Sequence, residues 1–237
     1  MTATQFTFKQ RVFAWGVHLF TASGVIWGFL AIQATQRHQW WMLAAWGALA
    51  MLIDGFDGIL SRKARVREVI PQIDGSLLDN MVDYFTYVIV AAFFLYEAKL
   101  VAPPFLLAAA ILMMLTSAYQ FSQVDAKTEE HYFKGFPSYW NLVVFYMFIL
   151  QTNPWLNLLA IVIFAILIFV PIFYVYPSRT LRLRRLTLSL TLLWGVVTVV
   201  IITQFPHPHP VLVWLSLLYV VYYFAISIYN TLQRRAG

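Results

Sequence analysis

Four aspartates stand in two segments whose flanking chain is strongly apolar. They fall in Asp54-Gly55-Phe56-Asp57-Gly58-Ile59-Leu60-Ser61-Arg62, a spacer of twelve residues, and then Gly75-x-x-x-Asp79-x-x-x-Asp83. A carboxylate at the centre of a membrane helix costs about 2.5–3.5 kcal/mol on insertion scales, and four near one another also repel. Such a set persists only if something neutralises it. Asp54 and Asp57 are spaced i, i+3, and Asp79 and Asp83 are spaced i, i+4, so each pair shares one helix face. Two antiparallel helices that show a carboxylate pair at the same depth can close around one site. Hard oxygen ligands suit Mg²⁺ or Mn²⁺, and two such ions would balance four carboxylates. A two-metal site can clamp a pyrophosphate and stabilise the attacking and leaving oxygens of a phosphoryl displacement. Gly58 and Gly75 remove side chains where a nucleotide must approach the backbone. Arg62 follows at the membrane edge, placed to meet phosphate oxygens.

Two other readings of the acids need weighing. They could pair with Arg62, Lys63, Arg65 and Arg67 as a structural ion network, but those cations lie in a loop that reaches water and need no buried partner. They could also serve a cation-coupled transporter. Transporter sites favour the midplane between internal repeats, whereas these acids lie at one face and no repeat is visible.

The elements that must position the acids are helices in a membrane. The 237 residues are 61% hydrophobic and 11% charged, with a mean hydropathy of +0.72. That composition predicts an all-α, polytopic transmembrane bundle and excludes a soluble domain. Without cysteine there is no disulfide, thiolate metal site or cysteine nucleophile. No cleavable signal peptide is evident, since the first eleven residues are polar apart from Phe6 and Phe8. Apolar runs of the length a bilayer needs predict eight spans, at about 12–34, 40–60, 79–98, 103–123, 138–152, 155–176, 187–204 and 210–231, the fifth being short. The breaks fall at Pro103-Pro104, Asn153-Pro154, Pro177 and Pro206 to Pro210.

With the N-terminus in the cytoplasm, fourteen of the sixteen Lys and Arg fall inside, and only Arg37 and Lys99 fall outside. That split supports eight spans with both termini cytoplasmic. It also accounts for the net charge of +6 without any nucleic-acid partner. Asp54 and Asp57 then lie at the cytoplasmic end of the second span, and Asp79 and Asp83 at the cytoplasmic start of the third. Residues 1–237 read as a single integral membrane domain.

At this point the residues resemble a known family. The pattern D-x-x-D-G-x-x-A-R, a spacer, then G-x-x-x-D-x-x-x-D is the signature of the CDP-alcohol phosphatidyltransferases, matched here at Asp54, Asp57, Gly58, Arg62, Gly75, Asp79 and Asp83. Ser61 stands where the family has alanine, one small residue for another. The twelve-residue spacer is longer than the family's usual one. That length, with Gly55 after the first aspartate and two C-terminal helices beyond the six-helix family core, is similar to the bacterial branch that uses choline.

The resemblance implies that CDP-diacylglycerol and choline give phosphatidylcholine and CMP in a bacterial inner membrane, at a cytoplasmic site. It implies that Asp54, Asp57, Asp79 and Asp83 hold two Mn²⁺ or Mg²⁺ ions. Asp83 would also take the alcohol proton, and Gly58, Ser61, Arg62 and Gly75 would meet the nucleotide and its phosphates. A homodimer is compatible with the pattern. Serine, inositol or glycerol phosphate are the alternative acceptors.

A quaternary ammonium has no proton to donate, so choline must be held by aromatic faces and diffuse negative charge. Tyr84 and Tyr87 just past the motif, and Tyr139 and Trp140 in Phe136-Pro-Ser-Tyr-Trp-Asn141, are the candidates among 42 aromatics. Arg179, Arg182, Arg184 and Arg185 could grip lipid phosphate or simply anchor topology. His207 and His209, interleaved with prolines in a loop expected outside, are poor metal ligands. Thr21, Ser23 and Gly24 suit close helix packing or contact with the nucleotide.

Overall fold

The computed structural model describes residues 6–128, 132–177 and 183–236. It is an all-helical bundle apart from one two-stranded ribbon. Among the described residues, six helices are long and apolar enough to cross a membrane: α1 (Phe8–Gln36), α2 (Trp40–Ala64), α3 (Gly75–Glu97), α4 (Pro103–Ser122), α7 (Arg184–Thr203) and α8 (Pro210–Ala236). Two apolar helices are shorter, α5 (Trp140–Ile149) and α6 (Pro154–Phe169). Six of the eight expected spans are therefore present at full length and the fifth and sixth are short helices, the sixth ending at Phe169 before a strand at Phe173–Val175; the chain is a polytopic helical membrane protein. Its contacts divide it into two compact units, residues 1–90 and 91–237.

In the first unit, α1 opens on a capping box. Thr7 Oγ1 accepts from Gln10 N at 3.3 Å, and Gln10 Oε1 accepts from Thr7 N at 2.8 Å. Farther along, α1 presses directly on α3. A Cβ on Gly24 would stand 2.6 Å from Val82 Cγ1, and one on Gly28 would stand 2.6 Å from Phe85 Cε1. This Gly-x-x-x-Gly seam lets two membrane helices meet without an apolar driving force between them. α2 ends with Arg62 and Lys63 in its last turn, where cations complement the helix dipole, and with Arg65 in the left-handed region at φ 51°.

The long spacer after α2 has a structural use. Val66–Val69 forms a short helix, and Val66, Val69 and Ile70 are buried against Ala14 and Val17 of α1 and Ala64 of α2. The spacer is therefore an apolar plug over one end of the unit. On its exposed side Arg65 hydrogen-bonds Glu68 and holds that carboxyl below its usual range. Asp74 then caps α3, accepting from Ser76 N at 2.9 Å and Leu77 N at 3.1 Å.

In the second unit the two short helices still reach from one end of α4 to the other. α5 has 10 residues, or about 15 Å, against a hydrocarbon core of about 30 Å. Past its end, Asn157 Nδ2 donates to Leu100 O at 2.7 Å, just before α4 begins. Before its start, Gln120 Nε2 near the opposite end of α4 donates to Lys134 O at 3.0 Å. Non-helical chain covers the remaining depth. Such chain is tolerated in a membrane only when buried with its backbone satisfied, and it is here. Strand β1 (Tyr132–Lys134) pairs antiparallel with β2 (Phe173–Val175). Phe136 N donates to Leu167 O at 3.0 Å. Phe173 N and Val175 N donate to Thr231 Oγ1 and Ser227 Oγ of α8 at 2.8 and 3.2 Å.

Hydroxyls also join the long helices. Thr187 meets Tyr222 and Thr191 meets Tyr219, each at 2.7 Å. Tyr146 OH donates to Ser216 Oγ at 2.9 Å and accepts from Trp194 Nε1 at 3.1 Å.

Candidate active site

The carboxylates of Asp54, Asp57 and Asp79 come together although 22 residues separate the two helices' contributions. One oxygen from each lies within 4.8 Å of the other two. Asp57 is buried at 6% exposure, and Asp54 and Asp79 are half-buried. Asp83, one turn farther along α3, is also half-buried and lies outside this group of three. A carboxylate accepts hydrogen bonds and donates none when ionised, so three of them cannot satisfy one another. A cluster of hard oxygen donors carrying up to three negative charges fits a divalent cation.

Neighbouring side chains hold these acids. Tyr87 OH of α3 donates to Asp54 Oδ2 of α2 at 2.6 Å. Thr21 of α1 lies beside Asp57, and its hydroxyl donates to Val17 O at 3.3 Å. Three elements of the first unit therefore converge on the group. Arg62 folds back along α2, so that a Cβ on Gly58 would stand 3.4 Å from its guanidinium. A Cβ on Gly75 would stand 3.3 Å from the His18 ring. Ser61 is half-buried beside Arg62. His18 is buried, and its Nε2 has no hydrogen-bond partner among the described residues. It lies one turn before Thr21 on α1.

The aromatic candidates separate. Tyr84 is half-buried next to Asp83. Tyr87 is 6% exposed, and its hydroxyl donates to Asp54 beside the acids. In the second unit Trp140 has no exposed surface. Its indole donates to Ser117 Oγ at 2.7 Å, and its ring meets Phe136 and Phe164 edge-on. Tyr139 is half-buried, with Phe133 and Tyr223 each 6.3 Å away between ring centres. Arg179 and Arg182 lie outside the described residues. His18 and the role of Tyr87 escape a reading of sequence alone. The available signals were a histidine three residues before Thr21 in an apolar span, and a tyrosine four residues after Asp83.

Comparison with known proteins agrees with this site. The family model described as CDP-alcohol phosphatidyltransferase matches residues 16–173, which contain the whole motif. The chain belongs to that family, and phosphatidyl transfer in a membrane is its chemistry. It is 42% identical to a phosphatidylcholine synthase of Legionella pneumophila, over 95% of this chain and 91% of that one. It is 39% identical to a phosphatidylcholine synthase of Borreliella burgdorferi, over 94% and 97%. A phosphatidylcholine synthase of Pseudomonas aeruginosa is 35% identical, over 94% of each chain.

Proposed function

We propose that the chain acts as one integral membrane domain that transfers the phosphatidyl group of CDP-diacylglycerol to choline, releasing phosphatidylcholine and CMP. The observation that carries this reading is the group of three aspartate oxygens within 4.8 Å on two membrane helices. The choice of choline is supported by relatives named for phosphatidylcholine over nearly the whole chain.

Asp54, Asp57 and Asp79, with Asp83 at their edge, would hold two Mn²⁺ or Mg²⁺ ions. Bound ions supply neutralisation of the pyrophosphate and of the CMP that leaves. Arg62 meets phosphate oxygens. Gly58, Ser61 and Gly75 leave room for the nucleotide beside the backbone, and the unpartnered His18 Nε2 supports a polar ligand on that side. Asp83 accepts the proton of the choline hydroxyl as its oxygen forms a bond to the phosphatidyl phosphorus. The bond from that phosphorus to the CMP oxygen breaks. The choline ammonium meets aromatic faces, with Tyr84 the candidate beside Asp83, and Tyr139 and Trp140 the candidates of the second unit. The fourteen-to-two distribution of basic residues supports an inner-membrane protein with both termini and the site on the cytoplasmic side.

The test is CMP release by purified protein given CDP-diacylglycerol, Mn²⁺ and one alcohol at a time. Choline is expected to support the fastest release. Faster release with serine, inositol or glycerol phosphate overturns the choice of acceptor. Absence of release with every alcohol overturns the reaction.

A further inference from the structure

α3 is not a uniform α-helix. From Tyr84 to Ile89, immediately after Asp83, it widens into a π-helix. Such turns are rare and concentrate at functional sites. Here the widening has a geometric result. Asp79, Asp83 and Tyr87 are each four residues apart. An α-helix holds 3.6 residues per turn, so each step of four overshoots a full turn by about 40°. In a uniform α-helix Tyr87 would stand about 80° around from Asp79. A turn closed by i→i+5 bonds holds more residues, so the step from Asp83 to Tyr87 loses rotation instead of gaining it. Tyr87 is thereby brought back over the face that carries Asp79.

That face looks onto α2, and Tyr87 OH reaches Asp54 Oδ2 at 2.6 Å. Tyr87 itself is buried, and the hydrogen bond is part-buried because Asp54 is only half-buried. The Thr86 hydroxyl donates to Val82 O at 2.9 Å, back along the helix and into the turn where the widening starts.

We propose that Tyr87 is a positioning residue of the aspartate site. Its O–H holds the Asp54 carboxylate in the rotamer that keeps it with Asp57 and Asp79, and the π turn exists to deliver it. Hydrogen-bonded partners of this kind orient metal-binding carboxylates and sustain their affinity. The proposal rests on the metal-site reading of the three aspartates, and the experiment separates the two.

Mn²⁺ binding to purified protein, followed by the loss of the free-ion EPR signal, is compared for the wild type, Tyr87→Phe and Tyr96→Phe. Tyr87→Phe removes only the hydroxyl. It is expected to weaken Mn²⁺ binding by about 10- to 100-fold and to raise the Mn²⁺ concentration for half-maximal CMP release to match. Turnover at saturating Mn²⁺ should return to within a few-fold of wild type. Tyr96→Phe, an exposed tyrosine far along the same helix, should change neither quantity. Unchanged Mn²⁺ affinity in Tyr87→Phe, whatever its turnover, overturns the positioning role and leaves the metal site standing. A lower unfolding temperature with unchanged Mn²⁺ affinity assigns Tyr87 to packing and also overturns it. Failure of the wild type to bind Mn²⁺ removes the metal site and this proposal together.

Discussion

The two halves of the chain bury polar groups inside a membrane in opposite ways. Residues 91–237 bury neutral groups, several of which pair with one another, although Gln120 Oε1, Ser138 Oγ and Asn141 Oδ1 find no partner among the described residues. Thr187 meets Tyr222, Thr191 meets Tyr219, and Tyr146 stands between Ser216 and Trp194. A hydroxyl both donates and accepts, so such contacts can be complete without help from outside. Residues 1–90 bury carboxylates. These accept only, and they converge to within 4.8 Å of one another. Tyr87 gives them a donor but no charge. The paired hydroxyls join helices, whereas the acidic group is one that could hold a divalent cation.

Substitutions in the two halves should therefore differ in scale. The largest loss is expected for Asp57→Asn, the most buried of the three acids, and for Asp54→Asn and Asp79→Asn. Each should lose nearly all CMP release, and chelation should do the same to the wild type until Mn²⁺ or Mg²⁺ is returned. Full activity after exhaustive metal removal would break the comparison outright. Next comes Asp83→Asn. It stands outside the group of three, so CDP-diacylglycerol binding should persist while turnover falls by about 10²- to 10⁴-fold. If lipid binding and rate collapse together, Asp83 is a ligand rather than the base.

Smaller effects should follow from the aromatic faces. A cation–π contact is worth about 0.5–2 kcal/mol, so Tyr84→Ala should raise the KM for choline by about 2- to 30-fold. The KM for CDP-diacylglycerol should change little. Trp140→Ala offers a contrast, since the indole is fully enclosed. An equal loss for both substrates there would mark Trp140 as packing. The smallest effect belongs to the hydroxyl contacts of the second half. Thr191→Val should shift the thermal unfolding midpoint slightly, in line with an average of about 0.6 kcal/mol for such bonds in a membrane. It should leave CMP release unchanged. A large loss of activity from Thr191→Val would mean that the second half is not merely glued together.

The expectation of helical spans was sound because hydropathy alone decides it. A backbone in lipid must satisfy itself, and long apolar runs permit little besides helix. Two spans proved shorter than a membrane crossing, and the reason was hidden from the sequence. Hydroxyls of Ser227 and Thr231, more than fifty residues away, supply acceptors that let the Phe173–Val175 strand stay extended. The long spacer, legible as a departure from the family, proved to be a buried plug because Val66, Val69 and Ile70 find α1 beneath them.

The sequence by itself determined which residues are the candidates for the chemistry. Periodicity is local, so i, i+3 and i, i+4 spacings place each acid pair on one face wherever the helices go. The tertiary structure decided which three acids meet and which side chains hold them. Helix rotation and crossing are not written in spacing. The π turn moves Tyr87 around α3, so that Asp54 acquires a partner 33 residues distant, and Gly24 and Gly28 let α1 close on Val82 and Phe85.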